Sequence, residues 1–142
     1  MITQEKINNV LEWADEKGIL SGATPLTQID KTQEELTETR NALFQIFNIS
    51  KTNPYEDLVD AKEKAIESLQ NEVKDGIGDM LVTIIILSEL CGTNMAECLD
   101  MAYDEIKDRT GKMVNGTFVK DADLPDIQPD LLKFLNSGEV VV

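Results

Sequence analysis

Apolar residues recur three or four apart through most of this chain, which is the spacing of helices packed on one face. Residues from Thr3 to Lys17 predict a first helix capped by Thr3, with Ile7, Val10, Leu11 and Ala14 as its stripe, Trp13 on the flank and Gly18 as its stop. After a short link, Thr24-Pro25 predicts the cap and first turn of a second helix reaching about Phe47. Leu26, Ile29, Leu36, Leu43 and Phe47 are expected on or near its buried side. A polar loop from Asn48 to Pro54 precedes a long helical stretch from Tyr55 to Cys91, with Gly92 as its stop. Thr93 or Asn94 caps a further helix from Met95 to Arg109, whose expected apolar face is Met95, Cys98, Leu99, Ala102 and Ile106. Lys112 to Val119 reads as a hairpin turning at Asn115-Gly116. A short amphipathic turn from Leu131 to Leu135 lies in a tail rich in proline and aspartate. No internal repeat interrupts this order. The pattern predicts an all-α fold, a four-helix-bundle-type core with a small C-terminal hairpin and tail: one domain over 1–121 and the tail over 122–142.

The long helix changes character within one stretch. Glu72, Asp75 and Asp79 follow one another at i, i+3 and i+7, so three carboxylates share a stripe. Directly beyond them, residues 80–87 are apolar on nearly every face, the mark of a helix buried among others. Acids entering such a segment are costly unless paired or bound to cations. The same segment, apolar all round at Val82 to Leu90, predicts a homo-oligomer, because a lone bundle would leave one side wet.

Composition narrows the chemistry. In 142 residues, 27 acids against 13 bases give a net charge of −14, which excludes a basic nucleic-acid clamp. Histidine is absent, so Ser-His or Cys-His nucleophiles and imidazole metal sites are ruled out. Cys91 and Cys98 fall at apolar positions outside any CxxC pattern and are expected, like the methionines, in the core. The N-terminus lacks the regions of a signal peptide, and the apolar run falls short of the roughly 20 residues of a membrane span. A soluble, cytoplasmic protein is expected.

Glu34, Glu35 and Glu38 form Glu-Glu-x-x-Glu on the second helix. Packed antiparallel to Glu72, Asp75 and Asp79, they would converge hard oxygen ligands suited to Mg²⁺ or Mn²⁺. Metals so held can grip a polyphosphate and activate a water for in-line attack. The competing reading of the same charge is a non-catalytic acidic helical module that binds a basic protein partner or mimics DNA.

Several ordered segments together resemble the MazG-like all-α nucleotide pyrophosphohydrolases, relatives of the dimeric dUTPases. They are Trp13 to Ile19, then Gln28 and Lys31 ahead of Glu34-Glu35-Leu36-Thr37-Glu38, then Asp75 to Val82, and Ala102 to Lys120. The resemblance covers roughly residues 7–121. It implies Mg²⁺-dependent hydrolysis of (deoxy)nucleoside triphosphates to monophosphate and pyrophosphate, in a homodimer or homotetramer. Carried over, Glu35 and Glu38 become metal ligands, and Glu34 a further ligand or the group that positions water. The family's acid three residues before Asp79 falls on Gly76 here. The remaining ligands are then Asp75 with Asp79, or the literal Glu72-x-x-Asp75. Lys31, Lys107, Arg109, Lys112 and Lys120 become phosphate contacts, with Trp13 and Gln28 towards the base.

Overall fold

The computed structural model describes residues 1–53 and 55–124. The tail with its expected turn at Leu131 to Leu135 lies outside the described residues. The order is α1 (Gln4–Glu16), a short α2 (Ile19–Gly22), α3 (Pro25–Ser50), α4 (Val59–Leu90), α5 (Met95–Ile106), β1 (Gly111–Val114) and β2 (Thr117–Lys120). Single 3-10 turns at Glu56–Leu58 and Asp121–Asp123 precede α4 and follow β2. The chain divides into two compact units, one ending at Cys98 and the other beginning at Leu99.

Local chemistry places the helix ends. The Thr3 hydroxyl accepts from Lys6 N–H at 3.3 Å. Thr24 and Thr27 cap each other reciprocally ahead of Pro25, a capping box at the start of α3. Asn94 Oδ1 accepts from Glu97 N–H at 3.0 Å and caps α5. The long helix starts later than expected, at Val59, with the 3-10 turn taking the preceding residues. Likewise α5 stops at Ile106 rather than Arg109.

The first unit is organised by the antiparallel pair of α3 and α4. On α3 the buried and half-buried positions are Gln28, Thr32, Glu35, Thr39, Ala42, Ile46 and Ile49. On α4 they include Lys62, Ile66, Leu69, Val73, Gly76, Met80, Thr83, Leu87 and Leu90. Both sets alternate steps of four and three, the period of a coiled-coil seam. At one end Lys62 Nζ donates to the Thr52 carbonyl at 2.7 Å, and at the other Gln28 Nε2 donates to the Thr83 carbonyl at 3.1 Å. Helix α1 packs on α4 through the buried Ile7 and Ala14.

The inward face of α3 is therefore not its most apolar one. Leu26, Ile29, Leu36, Leu43 and Phe47, expected on the buried side, are all exposed, Leu26 at 77%. They lie one residue round the helix from the seam, and no element of the unit covers them. Residues 82–90 reverse the expectation in the other direction. Thr83, Ile85, Ile86 and Ser88 are buried, and only Glu89 of the segment is exposed, because α1, α2 and α3 all pack on α4. The side left wet belongs to α3.

Cys91 and Cys98 are exposed rather than core, as are Met101 and Met113. Helix α5 buries no side chain, and Leu99 and Ile106 of its expected inner face are exposed. In the second unit β1 and β2 pair antiparallel from Gly111↔Lys120 to Val114↔Thr117. Asn115 and Gly116 turn the hairpin with φ of 49° and 79°, the left-handed pair that a two-residue loop needs. No single helix among the described residues is long and apolar enough to cross a membrane.

Candidate acidic cleft and adjoining pocket

Where α3 and α4 pass each other, Glu35, Glu38, Thr39, Glu72, Asp75, Gly76 and Asp79 line one cleft of about 150 Å³. All five of these carboxylates, expected as metal ligands, thus line the same cleft. Glu35 and Glu38 arrive from one turn of α3, and Glu72, Asp75 and Asp79 from two turns of α4. Glu34 does not line this cleft; its side chain is more than half exposed.

Glu35 is the most enclosed acid of the group, its side chain only 12% exposed. Lys31, one turn earlier, reaches both neighbours, with Nζ 3.3 Å from Glu35 Oε1 and 3.1 Å from Glu34 Oε2. Hydrogen bonds to Glu34 and Glu35 hold the Lys31 ammonium above its ordinary pKa. Asp79 is also raised above the usual carboxylate range, first by desolvation against the apolar run, then by the negative charges of Asp75 and Glu35, with Lys31 partly opposing. The cleft is a place of surplus negative charge.

A hard divalent cation matches this donor set, which is oxygen throughout. As the side chains stand, no three acidic or cysteine groups among the described residues cluster closely enough to share one ion. The negative charges of Asp75 and Glu35 add to desolvation in raising the Asp79 carboxyl, so the acids oppose one another's ionisation here. A cation between the helices would offset that opposition. By donor chemistry the residues fit Mg²⁺ or Mn²⁺, and Asp75 and Glu72 both line the cleft beside Asp79.

A second cavity of about 250 Å³ opens next to the first, lined by Trp13, Ile19, Gln28, Lys31, Glu35, Asp79, Val82, Thr83 and Ile86. Glu35 and Asp79 belong to both walls. Trp13 offers a half-exposed indole, and Ile19, Val82 and Ile86 supply aliphatic surface. Gln28 lies here as expected, yet it is 5% exposed and its amide N–H is committed to the Thr83 carbonyl. Ile19, Val82 and Ile86 were not singled out from sequence, since aliphatic residues beside a buried helix carry no signal of their own.

The remaining basic candidates lie in the second unit. Lys107 pairs with Asp104 at 2.9 Å and Arg109 with Glu105 at 3.0 Å, both between close neighbours in sequence. Lys112 stands opposite Val119 and Lys120 opposite Gly111 in the hairpin register. Side chains alternate along a strand, so the two lysines leave opposite faces of the ribbon. Compared with protein-family models, with curated proteins and with solved structures, the chain matches none.

Proposed function

We propose that this protein is a Mg²⁺-dependent nucleoside triphosphate pyrophosphohydrolase of the MazG-like kind, acting on (deoxy)nucleoside triphosphates. One observation carries the reading: an acidic cleft and a partly apolar, Trp13-walled pocket share Glu35 and Asp79 as a common wall. A nucleotide has the same two halves, a polyphosphate that needs cations and a base that needs an apolar slot.

Glu35, Glu38, Asp75 and Asp79, with Glu72 at the edge, would hold Mg²⁺ or Mn²⁺. The metal supplies charge neutralisation on the phosphate oxygens and an activated water. Trp13 and the aliphatic wall take the base, and Lys31 lies where base pocket and acidic cleft join, within reach of a phosphate. Glu35, enclosed and beside Lys31, is the better-placed acid for orienting water. Glu34 acts on it through Lys31. Monophosphate and pyrophosphate are the products.

A display surface for a basic protein is the less suited alternative, because it gives no use to the Trp13-walled, partly apolar pocket that adjoins the acids. The exposed thiols of Cys91 and Cys98 suit a reducing cytoplasm.

The functional form is a homodimer or homotetramer, and the outer stripe of α3 supports this. Ile29, Leu36, Leu43 and Phe47 follow a heptad-like course, with Arg40 stacked on Phe44 at 5.1 Å. Two copies paired antiparallel about Leu36 would match Ile29 with Leu43, an isologous contact. Liquid chromatography of products from a nucleotide panel, with and without Mg²⁺, tests the activity directly.

A further inference from the structure

We infer that the contact between Thr39 and Gly76 is the positioning device of the acidic cleft, setting the separation of α3 and α4 at which their carboxylates face one another. Its geometry stands by itself; its consequence for metal binding rests on the reading proposed above.

Thr39 is 5% exposed, and its hydroxyl donates to the Glu35 carbonyl at 2.8 Å. That bond pins the side chain against its own helix and leaves it facing the backbone of α4. A Cβ placed on Gly76 would overlap Thr39 Oγ1 and stand 3.2 Å from Thr39 Cβ. Space, not backbone conformation, demands glycine here. Gly78, two residues on, meets nothing where its Cβ would be. The two glycines of this helix are therefore not equivalent, and only Gly76 is a contact.

The acids are arranged symmetrically about the contact. Glu35 and Glu38 precede Thr39 by four and by one, and Glu72 and Asp75 precede Gly76 by four and by one. In an antiparallel pair this relates the two Glu-x-x-acid motifs by a local two-fold at the crossing, with Asp79 one turn further along α4. It also explains why position 76 carries no acid: a longer side chain has no room beside Thr39. A wedge at this point would part the helices where the ligands must match. Mg²⁺ tolerates such mismatch poorly, because it requires near-ideal octahedral oxygen geometry.

The test compares Gly76→Ala, the swap Thr39→Gly/Gly76→Ala, and Gly78→Ala as control. In the swap, the helix propensity lost at position 39 is regained at position 76. Pulsed EPR without metal reads the helix separation between nitroxides on Gln33→Cys and Lys74→Cys, in a Cys91→Ser/Cys98→Ser background. Calorimetry reads Mn²⁺ affinity. Gly76→Ala should lengthen the distance and weaken Mn²⁺ binding about tenfold or more, the scale of losses from residues that orient ligands. The swap should restore both, and Gly78→Ala should leave both unchanged. If Gly76→Ala does not fold, recovery of fold, distance and Mn²⁺ affinity in the swap supports the inference equally. An unchanged distance in Gly76→Ala, or a change that the swap fails to reverse, overturns it. A parent protein that takes up no Mn²⁺ while the distances behave as expected overturns the metal reading, and the positioning role with it, but leaves the helix spacer standing.

Discussion

Gln28 and Thr83 are joined across the α3–α4 seam by a hydrogen bond from Gln28 Nε2 to the Thr83 carbonyl at 3.1 Å, in a buried setting. This bond ties the start of α3 to the apolar half of α4 and forms part of the floor beside Trp13. Gln28→Met keeps the volume and should cost about 1 kcal/mol, the worth of one hydrogen bond. Gln28→Glu puts a carboxylate against a carbonyl oxygen and should cost about 2–3 kcal/mol or more at neutral pH, with the deficit shrinking in acid as that group protonates. Urea unfolding of both variants at two pH values checks this.

Asp79 gives a pH prediction whose sign is fixed by linkage. Its folded pKa lies above the ordinary carboxylate value, so the native state binds more protons than the unfolded chain between those two values. Stability from this group therefore falls as pH rises through that window and stays lowered above it. Without metal, Asp79→Asn should melt higher than the parent at neutral pH, and the difference should vanish below the ordinary carboxylate range. With Mg²⁺ the order should reverse, since only the parent keeps the ligand. Thermal melts across pH, with and without Mg²⁺, read both effects.

Lys31 neutralises part of Glu35 at the site where a cation would bind. Lys31→Met should lower stability in metal-free buffer, because an enclosed carboxylate loses its counter-charge. It should tighten Mn²⁺ binding, because a like charge has been removed from beside the cation. Turnover should nevertheless suffer through a raised KM if the ammonium contacts phosphate. Melting curves, calorimetry and steady-state kinetics on the one variant separate these three effects.

The outer face of α3 predicts how assembly can be broken. Leu36→Glu or Leu43→Glu replaces an already exposed leucine, so the helices should persist by circular dichroism. Sedimentation velocity should show a shift to monomer in either variant. An oligomer that ignores both substitutions would move the interface elsewhere.

What the sequence disclosed and what it hid follow from the range of the interactions involved. Thr3, Thr24-Pro25 and Asn115-Gly116 act on backbone within a few residues, so these ends and turns can be read directly. The acids of the cleft were equally visible, because i, i+3 and i+7 spacing fixes a shared face on any helix. The inward side of α3 was not. Hydropathy selects Leu26, Ile29, Leu36, Leu43 and Phe47, whereas the seam runs through Gln28, Thr32, Glu35, Thr39 and Ala42 before it reaches Ile46 and Ile49. Small and polar residues face inward over the first part of α3, where α4 approaches closely at Thr39 and Gly76. Gly76 looked like a missing ligand for the same reason. Its role depends on Thr39, 37 positions away in the chain (76 − 39), and no local pattern carries that.

The reaction proposed for the cleft and the pocket is hydrolysis of a nucleoside triphosphate between its α- and β-phosphates. Product analysis of purified protein with a panel of (deoxy)nucleoside triphosphates at millimolar Mg²⁺ reads it. Equal amounts of nucleoside monophosphate and pyrophosphate are expected, abolished by EDTA and by Glu38→Gln or Asp79→Asn in folded protein. No pyrophosphate from any nucleotide, or release that persists in excess EDTA, would contradict it.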